Sequence, residues 1–466
     1  MSGIPSDASV VVIGAGLSGL VAATQLRAAG ISDVVVLEAR DRVGGRLHGY
    51  TRPNGRELMV GGEFIGRTHL RLHALAASLG IASEPLPPFA HPESMGKFIR
   101  IEADARIVES YPMESDPAAM EDYGAAVVAL DEMARLVPVE APWAAASASI
   151  WDSQTAGQWI DVNVVAPAAR DALAGNLAHY GDLYQVSLLF VLWCVARFGG
   201  WEASHDIGYR FVGGSAQIPR RLAERLGGVV FTSCPVRRID RGATHATVHH
   251  DGGATQAKAV VLAMEPGQVG KIEFSPPLPH ARGRLQSRWL AGHGAKFFAV
   301  YDKPFWRKDG LAGIASGPGP FGTVLDVSPS EADEGILLVL YFEGGAAAAN
   351  LSALAEQAGG LRTAVLAGLA RFFGDQALEP TEFYAFDWSG DAWSQGCGSQ
   401  VPTQVLSTVG PALRPPVGRL VWAGADNGDM DWMEGAVASG YRAAQEAVSL
   451  IEDSSALSQA SSRRES

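Results

Sequence analysis

The sequence has little cysteine, modest charge and no basic excess. Its three cysteines, Cys194, Cys234 and Cys397, lie far apart and are too few for a disulfide framework, which indicates a reducing compartment. The net charge of −13 argues against nucleic-acid binding, because phosphates require a basic surface. The sequence also lacks an apolar run of the roughly 18 residues that cross a membrane and an apolar N-terminal leader. We therefore expect a cytoplasmic protein with neither nucleic-acid nor membrane partners.

Glycine and apolar residues, by contrast, are plentiful. Hydrophobic residues make up 47% of the 466 residues, and there are 54 glycines. This is the balance of a folded chain that is long enough for two domains or one large composite core. The polar segment 453–466 is expected to be a disordered tail. No metal site is predicted, and the oligomeric state stays open, with a homodimer as one expectation.

The N-terminal segment predicts a dinucleotide-binding βαβ unit. An apolar strand beginning at Ala8 leads into the turn formed by Gly14, Gly16 and Gly19, a helix follows, and a second strand ends at Glu38. The first glycine suits a tight turn, the second lets backbone approach a pyrophosphate, and the third allows the helix to pack on the strand. The N-terminus of the helix offers free N–H groups to phosphate, and Glu38 is placed to accept hydrogen bonds from ribose hydroxyls.

A second glycine-rich loop follows directly and reads EARDRVGGR from Glu38 to Arg46. Its arginines can neutralise a pyrophosphate, and the stretch resembles the extended fingerprint of the flavin amine oxidase family. The segment GGEFIG resembles the loop that runs beside the flavin in that family, although Met59 stands where an acidic residue is common. The resemblance implies FAD as cofactor, with contacts from Arg40, Gly45, Arg46, Gly62 and Glu63.

The resemblance to monoamine oxidase and its bacterial relatives extends over residues 8 to 450. It implies an α/β fold: a Rossmann-like FAD-binding domain of the GR2 type with a discontinuous α+β substrate domain. The FAD-binding domain is expected to comprise residues 1–85, 205–290 and 385–452, and the substrate domain residues 86–204 and 291–384. Helical patterns recur between residues 68 and 196. A β-rich insertion is expected over 229–261, and a second, largely antiparallel sheet over 296–343.

Several separated motifs carry the expected flavin contacts. The resemblance places Lys296 where the family has a lysine that reaches flavin N5 through a water. Cys397 matches a position of covalent attachment to the flavin 8α-methyl group, but a buried cysteine is also a common small apolar residue, so both interpretations stay open. Asp426 corresponds to an acidic residue near the ribityl hydroxyls, and Val236 to a valine whose main chain holds the adenine. Further cofactor contacts are expected from Trp388, Gly424 and Met433.

The resemblance also outlines a substrate cavity. Leu189 and Trp193 match a helix that lines the cavity in the family, and a plain buried helix is the alternative. Trp432 matches one of two aromatic residues that form a cage in front of the flavin. Gly398 stands where the other aromatic is usual, so the cage is expected to be half open and to admit a bulkier or differently angled substrate. Two further residues, Asp429 and Asp431, would either attract a second ammonium group or belong to an exposed polar loop.

The implied function is FAD-dependent oxidation of an amine. Hydride passes from the carbon next to nitrogen to flavin N5, the resulting imine hydrolyses to an aldehyde or ketone, and dioxygen reoxidises the flavin to give hydrogen peroxide. The residues expected to act in catalysis are Lys296 and Trp432. An L-amino-acid oxidase is also compatible with the sequence, and it would need an arginine such as Arg197 or Arg210 for the carboxylate. An amine dehydrogenase with a different electron acceptor and a scaffold that binds FAD without turnover stay open as well.

Overall fold

The structure is a computed structural model. It describes residues 3–87, 96–102, 105–109, 116–317, 321, 323–329, 333–341, 345–356, 359–427, 430 and 432–462. Within these residues no helix combines the length and the apolar character that a bilayer crossing demands. Asp429 and Asp431 lie outside the described residues.

An eight-stranded sheet forms the centre of the dinucleotide-binding part. Its first strand pairs in parallel with the second strand on one side and with the long twelfth strand on the other, and the last strand pairs in parallel with the end of the twelfth. The β-rich insertion predicted from the sequence is present as an antiparallel excursion that returns to the core. The strands are β1 Asp7–Ile13, β2 Val34–Leu37, β9 Val230–Phe231, β10 Val236–Arg241, β11 Ala246–His250, β12 Gly253–Ala263, β13 Glu273–Ser275 and β21 Leu420–Ala423.

A second sheet of seven strands is antiparallel except for one parallel pair, as predicted for residues 296–343. It also contains two strands from the region in which helical patterns were expected, and that expectation was wrong for residues 97–102 and 105–109. These strands pair with each other and with a distant strand, a contact that local periodicity does not reveal. The strands are β6 Lys97–Glu102, β7 Ala105–Glu109, β15 Ala295–Tyr301, β16 Leu311–Ser316, β17 Thr323–Asp326, β18 Gly335–Tyr341 and β19 Glu382–Asp387.

Helices pack against both large sheets, and a separate apolar core is built mainly by helices between residues 119 and 195. Residues Val401 to Leu413, which the sequence assigns to the FAD-binding domain, also pack into this helical core. The helices are α1 Leu17–Ala28, α2 Leu70–Ser78, α3 Pro117–Arg135, α4 Ala148–Trp151, α5 Ala156–Asn163, α6 Pro167–Leu177, α7 Leu188–Phe198, α8 Trp201–Ser204, α9 Gln217–Leu226, α10 Pro266–Val269, α11 His280–Arg288, α12 Gly345–Glu356, α13 Gly360–Phe373, α14 Leu406–Val409 and α15 Trp432–Ser462.

Three short strand pairs connect the larger units, and the last helix is longer than expected. The pairs are β3 Gly49–Thr51 with β4 Glu57–Met59, β5 Ser83–Pro85 with β8 Tyr209–Phe211, and β14 Leu290–Ala291 with β20 Ser399–Gln400. Helix α15 continues to Ser462, so the tail predicted to be disordered from residue 453 is helical over its first ten residues. Serine and alanine in this segment are polar or small, but both are compatible with continuing an established helix.

The two large sheets are built from different parts of the chain. Strands of the eight-stranded sheet fall between residues 7 and 37, 230 and 275, and 420 and 423, all inside the segments predicted for FAD binding. The seven-stranded sheet draws on residues 97–109, 295–341 and 382–387. The domain boundaries proposed from the sequence therefore stay a prediction, with β19 extending past the boundary drawn at residue 384.

Candidate active site

The loop between β1 and α1 forms a cradle with room beside its central glycine. An ideal Cβ on Gly14 (φ +103°) would lie 2.7 Å from the Ala263 carbonyl oxygen, and one on Gly19 would lie 1.9 Å from the Gly14 carbonyl oxygen. A Cβ on Gly16 would meet no described atom within 4 Å. Gly16 caps α1 without a side-chain hydrogen bond, and the first turn has no acidic residue. The cradle therefore fits the pyrophosphate of a dinucleotide such as FAD.

The second glycine-rich loop lies directly against this cradle. Gly44 forms a parallel bridge with Gly16, and its N–H donates to the Ala15 carbonyl at 2.8 Å. The Glu38 carboxylate accepts from the N–H groups of Ala15 and Arg40, both at 2.8 Å. Glu38 thus ties the two loops together at the end of β2, which is the position expected for a residue that contacts the ribose. The ribose contact itself stays a prediction.

The two arginines of the fingerprint pair with acidic residues from the C-terminal third of the chain. The Arg40 guanidinium contacts the Asp391 carboxylate and donates to the Ser394 hydroxyl at 2.7 Å. The Arg46 guanidinium contacts the Asp426 carboxylate. These two pairs draw the segments around residues 391 and 426 onto the glycine-rich loops. Both arginines belong to the loop that contacts the cradle through Gly44, and their contact with a pyrophosphate stays a prediction.

Asp426 is a fully desolvated carboxylate that keeps its charge. Burial alone would raise its pKa, but the Arg46 guanidinium and the Ser399 hydroxyl, 2.8 Å away, outweigh burial and hold the pKa of Asp426 below its ordinary value. Asp426 acts on Arg46 in the opposite direction, and the pKa of that guanidinium is raised in spite of burial. The pair is therefore ionised throughout the physiological pH range.

Lys296 lies on β15 with its ammonium group buried among three acceptors. Its Nζ donates to the carbonyl oxygens of Met59 and Gly61, both at 2.9 Å, and to the Glu63 carboxylate at 3.2 Å. The side chains of Lys296 and Glu63 are 11% and 8% exposed. The ring of Phe64 is 5.2 Å from Nζ. The structure thus brings together Lys296 and the GGEFIG loop, two motifs that are 233 residues apart.

The loop containing Trp388 and Cys397 folds against the start of β15. The Trp388 indole donates to the Val60 carbonyl at 2.8 Å and its main-chain N–H to the Gly294 carbonyl at 3.0 Å. The main-chain N–H of Cys397 donates to the Gly292 carbonyl at 2.8 Å. Cys397 is half-buried and forms no disulfide. These main-chain hydrogen bonds tie the loop to residues 292–294, just before Lys296, and the roles of Cys397, Trp388 and Lys296 at a flavin stay predictions.

Gly398 has a backbone reason for lacking an aromatic side chain. Its φ is +78°, in the left-handed region that glycine adopts readily and bulky residues rarely do. A Cβ at this position would meet no described atom within 4 Å. The backbone at residue 398 thus favours glycine, and there is open space where the aromatic side chain of the cage would begin.

Trp432 opens α15 in a strained conformation and packs into an aromatic cluster. Its φ is +60°, which is unusual for a large side chain. The indole ring lies 5.3 Å from the Phe198 ring, 5.8 Å from the His69 ring and 6.1 Å from the His179 ring, in edge-to-face geometry. Burial lowers the pKa of His69 to about 4 and that of His179 to about 3. Trp432 is thus surrounded by apolar or neutral rings.

The remaining predicted residues are expected either to contact the cofactor or to line the substrate cavity. Met433 is buried, and its side chain faces Gly62. Gly424 (φ +135°) directly follows β21, and its N–H donates to the Ser439 hydroxyl. Val236 begins β10 beside a register irregularity, and its contact with an adenine stays a prediction. Leu189 and Trp193 are fully buried in the helical core, and the Trp193 indole donates to the Val139 carbonyl, so their role in a substrate cavity also stays a prediction.

Sequence reasoning missed several partners that fix the site. Asp391 lies three residues beyond Trp388 and belongs to no motif of its own. His69 and His179, which flank Trp432, gave no signal because isolated histidines have no motif spacing. Glu434 caps α2 by accepting from the N–H groups of Arg71 and Leu72, which anchors the start of α15. The position of Glu434 near the start of a helix indicates a capping role, but the N–H groups that it binds lie about 360 residues away in the sequence.

Comparisons with known proteins agree with this geometry. A family model described as flavin containing amine oxidoreductase matches residues 17–448. A flavin-containing amine oxidase of Oncorhynchus mykiss is 33% identical and covers 94% of this chain and 85% of that protein. An L-amino acid dehydrogenase of Synechocystis sp. is 30% identical over 96% of each chain. The solved structure of putrescine oxidase bound to putrescine has a TM-score of 0.88 at 29% identity, and the match covers 95% of this chain and 99% of that one.

Proposed function

This chain belongs to the flavin-containing amine oxidoreductases, and from that membership we propose which of its residues carry out the FAD-dependent oxidation of an amine. FAD supplies the hydride acceptor of the reaction when it is bound. The chain's own task is to hold that cofactor, to orient a neutral amine and to exclude water. The monoamine class, dioxygen as acceptor and hydrogen peroxide as product are parts of this proposal.

The observation that carries the proposal is the convergence around Lys296. Its ammonium group, the GGEFIG loop, the Trp388 indole and the Cys397 loop border one region, beside a glycine cradle that accommodates a pyrophosphate. Each of these features belongs to a different part of the sequence. A buried lysine beside a cofactor site acts on negative charge that develops during electron transfer, to an extent set by the acceptors that surround its ammonium group.

Trp432 supplies the wall that faces the reacting amine in this proposal. Its neighbours Phe198, His69 and His179 are apolar or neutral, which favours binding of the uncharged amine. The space beside Gly398 leaves room for a substituent on nitrogen or on the carbon that loses hydride. We therefore expect branched, cyclic or secondary amines to be accepted together with simple primary amines.

An anaerobic titration of the purified holoenzyme tests the function. Primary, secondary and cyclic amines, diamines and L-amino acids are added separately, and the loss of the oxidised-flavin absorbance is recorded. Bleaching by amines supports the proposal, and a spectrum that no amine alters contradicts it. Trp432→Ala is expected to slow bleaching by the best amine about 100-fold, because its loss leaves the amine without a wall. Unchanged bleaching in that variant would remove Trp432 from the site.

A second candidate is oxidation of an L-amino acid, and one arginine favours it. Arg197 is buried at the end of α7, stacked 4.1 Å from the Trp193 ring centroid, and the next residue, Phe198, contacts Trp432. The relative from Synechocystis carries the corresponding activity in its name. Arg210 is a poorer candidate, because Glu84 and the Val327 and Ser328 carbonyls already accept from its guanidinium.

The variant Arg197→Met separates the two candidates. If the carboxylate of an amino acid binds Arg197, the variant loses bleaching by L-amino acids at least about 100-fold, because a charged hydrogen-bond partner is removed from a buried site. Bleaching by amines without a carboxylate is then retained. An equal loss for both substrate classes would assign Arg197 to packing on Trp193.

A further inference from the structure

The buried ion pair between Lys296 and Glu63 limits the charge that the site presents. A lysine ammonium has three N–H donors, and all three are directed to acceptors of this chain: two carbonyl oxygens at 2.9 Å and the Glu63 carboxylate at 3.2 Å. The carbonyls fix the position of the ammonium. The carboxylate adds a full negative charge next to it.

The neutralisation depends on burial. Both side chains are about nine-tenths buried, so water screens their charges poorly, and the field of the cation beyond the pair is largely cancelled by the anion. Lys296 is therefore present in the site as half of a dipole and not as an isolated positive charge.

We propose that Glu63 is a positioning residue that holds Lys296 in a neutral pair and thereby slows the transfer of electrons from the reduced cofactor to dioxygen. The inference rests on the proposed function, in which Lys296 lies beside the flavin. In the overall step two electrons and two protons pass from reduced FAD to dioxygen, giving oxidised FAD and hydrogen peroxide. The first electron gives oxygen a negative charge, which an isolated cation stabilises and a neutral pair stabilises much less.

The consequence is a reaction with dioxygen that is slower than an isolated buried lysine would give. With Glu63 in place, the reduced enzyme persists longer in air before dioxygen reoxidises it. The glutamate therefore determines the rate of reoxidation and not the class of amine.

The decisive variant is Glu63→Gln. The amide oxygen still accepts from Lys296, so the geometry is kept while the negative charge is removed. The enzyme is reduced with dithionite without oxygen and mixed with oxygenated buffer in a stopped-flow instrument, and the midpoint potential of the bound flavin is measured by dye equilibration. We expect oxygen to reoxidise the variant about tenfold faster, the factor that corresponds to about 1.4 kcal/mol of charge stabilisation, and the midpoint potential to rise.

Three further variants make the result interpretable. Glu63→Asp keeps the charge at a greater distance, and an intermediate rate is expected. Lys296→Met should slow reoxidation at least about tenfold and lower the midpoint potential. Glu334→Gln is the control, because it removes a carboxylate from a different ion pair, the one with Arg52. Arg52 also pairs with Glu382, which lies opposite Val300 at the far end of β15 from Lys296. This variant should leave the reoxidation rate and the midpoint potential unchanged.

Each outcome is decisive. If Lys296→Met changes the rate and the potential but Glu63→Gln changes neither by more than about twofold, this inference is overturned and the proposed site stands. If neither variant has an effect, Lys296 is not beside the flavin, and the placement in the proposed function fails as well. Should Glu63→Gln be purified without flavin, Glu63→Asp decides, because a rate equal to that of the unaltered enzyme also overturns the inference.

Discussion

Cys397 is the residue whose position has the most direct chemical consequence. It lies on the loop that is held against Gly292 and also contains Trp388, and the residue is half-buried. The other two cysteines are buried elsewhere: Cys194 is in the helical core, and Cys234 contacts His250 beside β10. Among the three, Cys397 is therefore the one suited to a thioether with the flavin.

We predict that the flavin is covalently bound through Cys397. After acid precipitation the yellow colour should remain in the pellet of the unaltered protein and appear in the supernatant for Cys397→Ser, while Cys234→Ala behaves like the unaltered protein. The measurement is the flavin absorbance of both fractions. A colourless pellet from the unaltered protein would assign Cys397 to packing alone.

At the scale of single elements, two glycines at the start of α1 have different roles: Gly16 serves ligand binding and Gly19 serves folding. The Cβ of an alanine at residue 16 points into open space, whereas one at residue 19 would collide with the Gly14 carbonyl at 1.9 Å. Two glycines of one motif thus have different physical reasons for being glycine. The first serves the ligand and the second serves the contact of α1 with β1.

This difference gives a prediction for two neighbouring variants. Gly16→Ala should keep the free energy of unfolding of the flavin-free protein within about 1 kcal/mol but weaken FAD binding at least about tenfold, because the methyl group occupies the phosphate position. Gly19→Ala should cost about 1–3 kcal/mol of stability through overpacking. Urea unfolding and fluorescence titration with FAD measure both effects, on a Cys397→Ser background so that a thioether cannot mask the affinity. Equal effects of the two variants would contradict the assignment.

Elements with a strong local signal could be predicted from the sequence. The strand, turn and helix around Gly14 to Gly19 follow from glycine spacing and apolar runs, and β15, β17 and β18 follow from alternating apolar segments. Strands β6 and β7 were missed, because β6 is held by β16, more than 200 residues away. The positive φ of Trp432 and the capping of α2 by Glu434 likewise depend on tertiary contacts.

For the whole molecule, the candidate site is a meeting point of loops from six stretches between residues 14 and 433. The motifs predicted which stretches take part, because each has its own spacing or composition. They could not predict that Lys296 is saturated by Glu63 and two carbonyls, or that Arg40 and Arg46 pair with Asp391 and Asp426. Such pairings depend on the relative placement of distant segments, and so does the shape of the cavity that selects the amine.

The stability of the whole molecule should fall in mild acid because a buried histidine stays neutral in the fold. His69 is completely buried, and burial lowers its pKa from 6.5 to about 4. The half-buried His179 is shifted in the same direction, to about 3. Between pH 6.5 and 4 the unfolded chain binds more protons than the folded chain, so the free energy of unfolding decreases as the pH falls.

We expect the contribution of His69 to be complete above pH 6.5 and to decline by about 1.4 kcal/mol per pH unit between pH 6.5 and 4. Urea unfolding of the holoenzyme at intervals from pH 8 to 4.5 measures the slope. In the unaltered protein the imidazole Nδ1 of His69 accepts from the Gly66 N–H at 3.2 Å. The side chain of His69→Asn can still accept this hydrogen bond, but an amide does not take up a proton in this pH range. The slope of the unfolding free energy against pH should therefore decrease in the variant by the contribution of about one proton. An unaltered slope would mean that His69 becomes protonated in the folded protein near its ordinary pKa, and that the cluster around Trp432 is open to water.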